Sequence, residues 1–131
     1  MLKRDSLTAQ MQQLSHVLAK VKRLIREDNE AEASSVVREV FSNFFGLNDE
    51  SLFNSTEADF NTAIATMKGE ELNMLASFVD EFAGLQEDLG RQLFLYQRYL
   101  LLVETMERTF GFISLEHLDR KKLLEEQLNR L

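Results

Sequence analysis

The stretch DLGRQLFLYQRYLLLVETMERTF, residues 88–110, decides the fold. Leu89, Leu93, Tyr96, Leu100 and Val103 recur at steps of three and four, the period of an α-helix. A second seam, Leu95, Tyr99, Leu102, Met106 and Phe110, follows the same rule on another face. A helix apolar on two faces is either the central strut of its own domain or one half of an interface. We read it first as the strut, closed by Gly111.

The same periodicity extends in both directions. Downstream, Ser114 is placed to cap a last helix, with Ile113 positioned to staple onto Leu118 and with Leu124, Leu128 and Leu131 on one face. Upstream, a helix from Glu70 turns Leu72, Leu75, Phe78, Val79 and Phe82 inward and loosens near Gly84. Before it, Phe60, Ile64 and Met67 mark a helix ending near Lys68, with Gly69 as its stop and Asn54 or Ser55 as its cap. The segment around residues 47–56 is turn-rich and holds one short helical turn at residues 50–53. The first helix runs from Asp5 or Ser6 to Arg26 on Leu7, Met11, Leu14, Leu18, Val21 and Ile25. Asn29 and Glu32 have the form of a capping box opening the second helix, which buries Val36, Val37, Val40, Phe41 and Phe44 and stops at Gly46. So short a connection makes the first two helices an antiparallel pair. The fold class is therefore all-α: one domain over residues 1–131, of five to six antiparallel helices in hairpins or a bundle.

Composition agrees. The 131 residues contain no proline, and proline costs about 3 kcal/mol inside a helix, so nearly the whole chain is free to be helical. A chain of this length folds without a metal or a disulfide. Absence of cysteine excludes thiolate chemistry and cysteine-based metal sites, and fits a cytoplasmic protein. The start, MLKRDSLTAQMQQ, has basic residues with no apolar run behind them, so no secretory signal is expected. The densest apolar run, residues 93–103, contains Gln97 and Arg98 and is too short to span a bilayer.

Charge is unevenly spread. Residues 1–26 carry six Lys or Arg against one acid, residues 27–90 two against fifteen, and residues 91–131 seven against six. The acidic middle repels nucleic-acid phosphate and anionic lipid, leaving Lys20, Lys22, Arg23 and Arg26 as the only candidate anion contact. Basic residues near a helix C-terminus are also what its dipole favours, so nucleic acid is not the expected partner.

Catalytic signals are thin. His16 and His117 sit in QLSH and SLEH, outside any Glu-x-x-His or i, i+4 histidine pair, and read as surface or boundary residues. Glu70–Glu71 and Asp80–Glu81 read as a solvated face. The glycines are scattered singly near helix ends, with no phosphate loop and no Gly-x-Ser-x-Gly turn. No catalytic residue, cofactor or metal is therefore expected.

Leu14-x-x-Val17-Leu18-x-x-Val21 followed by Ala33-x-x-x-Val37-x-x-Val40, and Leu72-x-x-Leu75-Ala76-x-x-Val79 followed by Gly90-x-x-x-Phe94, resemble the paired helices of tetratricopeptide repeats. Over the whole chain, the order MLKRD, LAKVKRL at residues 18–24, an acidic turn, FFGL at residues 44–47 and a helical second half is similar to a family of small uncharacterised bacterial proteins with a tetratricopeptide-like fold. That resemblance implies a helical array that binds a protein or peptide in a groove, and it carries no activity or catalytic residues. If the second seam of residues 88–110 lines such a groove, Leu95, Tyr99, Leu102 and Met106 are the partner-binding residues, with Arg98 beside them to hold a carboxylate. The same seam could instead make a homodimer. The alternative reading is a small-molecule or lipid-binding bundle walled by Phe41, Phe44, Phe45, Phe78 and Phe82.

Overall fold

The computed structural model describes residues 2–111 and 113–130, with side chains from residue 7 onward. Those residues form seven helices and no strand: α1 (Leu2–Arg26), α2 (Glu30–Asn43), α3 (Asp49–Phe53), α4 (Glu57–Ile64), α5 (Gly69–Gly84), α6 (Leu89–Phe110) and α7 (Leu115–Asn129). The count exceeds the expected five to six because the short turn near residues 50–53 is a helix in its own right, with the Asn48 side chain accepting from the Ser51 N–H. Leu131, expected on the inner face of the last helix, lies outside the described residues.

Several boundaries move for local reasons. With no glycine or proline upstream, α1 continues back through Asp5 to Leu2. The cap of α4 is Thr56, whose hydroxyl accepts from the Asp59 N–H; Asn54 is instead the C-cap of α3. α4 ends at Ile64, and Gly69 opens α5 where it was expected to close the preceding helix, with the Glu71 carboxylate accepting from the Lys68 N–H. Asn29 makes no side-chain cap; its amide donates to Glu32, and the turn is set instead by Asp28.

Asp28 adopts φ +59°, the left-handed conformation that costs a residue with a Cβ. The N–H of Asp28 donates to the Ile25 carbonyl and that of Asn29 to the Leu24 carbonyl, the paired bonds that close a Schellman motif. Its negative charge also faces the unfavourable end of the α1 dipole. Asp28→Gly removes both penalties at some cost in unfolded-state entropy, so we expect a gain of about 0.5–1 kcal/mol, visible as a higher urea midpoint at unchanged slope.

α5 and α6 share the most extensive contact and lie at the centre. Leu72, Leu75, Phe78, Val79, Phe82 and Ala83 of α5 are closed to solvent, as are Leu95, Tyr99, Leu102, Val103 and Met106 of α6. α1 and α2 form an antiparallel hairpin whose inner residues Val21, Leu24, Ala33, Val37 and Phe41 join the same core. Phe41 and Phe82 meet edge to face at 5.3 Å, joining α2 to α5. α1 runs in the same direction as α5: Met11 and Ser15 lie beside Glu70, and Lys22 beside Glu81. α7 lies across α5 and α6, with His117 at Asn73 and Arg120 at Asp80.

The two apolar seams of residues 88–110 are buried to different extents. Leu95, Tyr99, Leu102 and Met106, the residues expected to meet a partner, are 0% exposed and pack inside the chain. Phe110, at the end of that seam, is exposed; in the other seam Val103 is closed, Leu93, Tyr96 and Leu100 are only half-buried, and Leu89 is 58% exposed. No helix of the described residues is long and apolar enough to cross a membrane.

Candidate functional site

Two concavities stand out, one set among charged and polar residues and one floored by apolar side chains. The polar cleft, of about 280 Å³, opens between α1, α5, α6 and α7. It is built on Ser77 and Asp80 of α5, three residues apart, with the Asn73 main-chain carbonyl one turn earlier facing His117. From α7 comes His117, which lies on the same face as Leu124 one heptad later.

His117 is 5% exposed, a correction to its reading as a surface or boundary residue. Its Nε2 faces the Asn73 carbonyl at 3.3 Å and must therefore carry the hydrogen, and its Nδ1 accepts from the Tyr99 hydroxyl at 2.7 Å. Burial pushes the imidazole below its ordinary pKa, against the opposing pull of the Asn73 carbonyl, Glu116 and Asp80. Burial likewise pushes the Tyr99 hydroxyl far above the ordinary phenol range. With both ring nitrogens engaged, His117 offers neither to a substrate, and Tyr99 stays protonated.

Asp80 and Glu81 are half-buried in this cleft, so they are not the solvated face expected of them. Arg120 grips Asp80 with two nitrogens, Nε at 2.9 Å from Oδ2 and Nη2 at 3.0 Å from Oδ1, and its guanidinium lies 5.5 Å from the Tyr96 ring centre. Such a fork is the strong form of an ion pair. Glu81 has only Lys22, 3.9 Å away and as close to Glu116, and burial raises its carboxyl above the usual range. The His117 and Arg120 side chains are both engaged by other helices, so the cleft ties α7 to α5 and α6.

The apolar concavity is a groove of about 390 Å³ between α1 and α2. Leu14, Val17, Val36, Val40 and Phe44 make its floor, and Gln10, Gln13, Lys20, Glu39 and Asn43 stand along its rim. Leu14 and Val40 are buried, whereas Val17, Val36 and Phe44 keep part of their surface open. The heptad seam of α1 is thus only partly covered by the shorter α2.

Comparison with protein-family models, curated proteins and solved structures finds no match to this chain. The site residues named from sequence must be placed by geometry. Leu95, Tyr99, Leu102 and Met106 are together, but in the core. Arg98 is with them at 8% exposure; its Nη2 donates to the Ser55 carbonyl at 2.7 Å and its guanidinium lies 4.5 Å from the Phe94 ring centre. It fastens the α3–α4 connection to α6 and does not present a charge to a partner. Phe41 and Phe82 fill the space between α2 and α5 where a ligand cavity would need it open. His16 is exposed on α1, and no group of three or more His, Cys, Asp or Glu among the described residues is gathered as for a metal ion.

Proposed function

We propose that this chain is a helical scaffold without catalysis of its own, which binds a protein partner by taking an amphipathic helix of that partner into the α1–α2 groove. The observation that carries the reading is the groove's construction: an apolar floor with Val17, Val36 and Phe44 part-open, bordered by amide side chains and one charge on each wall. An amphipathic helix docks in such a groove by its apolar stripe, and its flanks meet the rim. Lys20 on α1 and Glu39 on α2 call for an acid on one flank of that helix and a base on the other. The hairpins α1–α2 and α5–α6, with α1 and α5 running the same way, support a tetratricopeptide-like arrangement, in which helix pairs stack and leave a concave binding face.

The test is selection of binders from a random library of amphipathic helical peptides, followed by mapping on the isotope-labelled protein. Selected peptides should shift the amides of Gln13, Val17, Val36 and Asn43. Phe44→Ala, at a half-buried floor position, should weaken them by roughly tenfold or more, a loss of about 1.4 kcal/mol or above, with the fold intact by circular dichroism. Binders that map elsewhere, or that ignore Phe44→Ala, contradict the proposal.

A further inference from the structure

α7 is held to the body by few buried side chains. Only His117 and Leu124 of its residues are buried, against nine in α5, and Leu115 is 73% exposed. Apart from the half-buried Leu118 and Leu128, what else joins it to the body is polar: the Arg120–Asp80 fork, the Lys121–Glu107 pair at 3.6 Å and the His117 bridge to Asn73 and Tyr99. One of its two buried side chains is therefore the kind that changes charge near neutrality.

From this geometry we propose that α7 is a releasable cover over α5 and α6, latched by neutral His117 and let go when that imidazole takes up a proton. The mechanism lies in the hydrogen-bond count. Neutral His117 donates once, to the Asn73 carbonyl, and accepts once, from Tyr99. Protonated, it donates from both nitrogens, and the Tyr99 hydroxyl loses its acceptor at a position closed to solvent. His117 is the only partner of that hydroxyl among the described residues.

The charged surroundings do not cancel this. Facing His117 are Asp80 and Glu81 from α5, Tyr96 and Tyr99 from α6, Lys22 from α1, and Glu116, Asp119 and Arg120 from α7 itself. Asp80 is engaged by Arg120, and Lys22 stands between Glu81 and Glu116. Because the folded imidazole is held below its ordinary pKa of 6.5, its contribution is complete above that value and is lost as pH falls from there through the folded pKa. Glu81, held above its ordinary value, works in the opposite sense: its protonation on acidification favours the folded form.

The test is hydrogen exchange on the intact chain at about pH 7.5 and about pH 5.5, corrected for intrinsic exchange, together with an NMR titration of the His117 ring. α7 amides should lose protection severalfold, up to about tenfold, as pH falls below about 6.5 while α5 and α6 keep theirs, and the loss should level off at the midpoint of the His117 titration. His117→Gln, whose amide can still donate to Asn73 and accept from Tyr99, should remove the pH dependence, and Glu81→Gln should leave it. Equal protection of α7 at both pH values, loss shared by every helix, or a pH dependence surviving in His117→Gln overturns the proposal. If His117→Gln does not fold, the wild-type midpoints decide: release that does not track the His117 titration refutes the latch.

Discussion

Leu102→Glu leaves this chain without a cooperative unfolding transition. Leu102 is 0% exposed in the middle of α6, flanked on the same face by Tyr99 and Met106, also closed. Truncating a buried leucine costs about 2–5 kcal/mol before any polarity is added. A carboxyl buried there must either stay charged in an apolar site or take up a proton with a pKa raised by about 3–5 units, and protonating it at neutral pH adds a further cost of about 4 kcal/mol. The sum is comparable to the whole stability of a domain, about 5–15 kcal/mol. Far-ultraviolet circular dichroism of the variant should show lost helix with no thermal midpoint. A folded variant that differs only in self-association would make the face an interface, the other reading the sequence allowed.

Phe82→Ala is expected to fold but to melt far lower. Phe82 is closed to solvent at the junction of α2, α3 and α5, with its ring 5.3 Å from that of Phe41, 6.1 Å from that of Phe53, and with the Arg38 guanidinium 5.2 Å above it. Removing it opens a cavity among elements that cannot all close in together, so the cost falls at about 3–5 kcal/mol. For a domain of this size that lowers Tm by about 10–20 °C. Leu89→Ala, at 58% exposure on the outer side of α6, should stay within about 0.5 kcal/mol of the parent protein. Differential scanning calorimetry of both variants checks the contrast.

Helix existence was legible because each long helix carries three- and four-residue spacing and most ends carry a usable cap: Asp88 and Ser114 accept from the first-turn N–H groups as their residue types predict, and Gly46 and Gly111 take the left-handed conformation. Where the chain has several cap formers in a row, as at residues 54–56, composition cannot rank them, and Thr56 prevailed. Periodicity also shows that α6 has two apolar seams without showing which one faces inward. A signal was present: Gln97, Glu104 and Arg108, at i, i+7 and i+11, mark the solvent side and lie opposite Leu95, Tyr99, Leu102 and Met106.

The polar cleft was missed for a different reason. His117 looks like a boundary residue beside Glu116, yet it stands seven positions before Leu124 and shares its face. Its counterpart on α5 is the Asn73 main-chain carbonyl with the side chains of Ser77 and Asp80, the polar face that a charged neighbouring helix requires. The two become a site only when α7 lies across α5, a contact between residues forty or more positions apart that local patterning cannot supply. The α1–α2 groove was hidden likewise, since Val36 and Phe44 read as ordinary core until the length of α2 against α1 is known.

The central claim is that α6 is the interior strut of a domain that folds by itself, leaving the α1–α2 groove as the free apolar surface. Native-state hydrogen exchange of the α6 amides at two protein concentrations tests it most directly. Residues 99–106 should exchange only through global unfolding, at a rate that does not change with concentration. Exchange through a smaller opening, or protection that grows with concentration, would place that seam at an interface and contradict it.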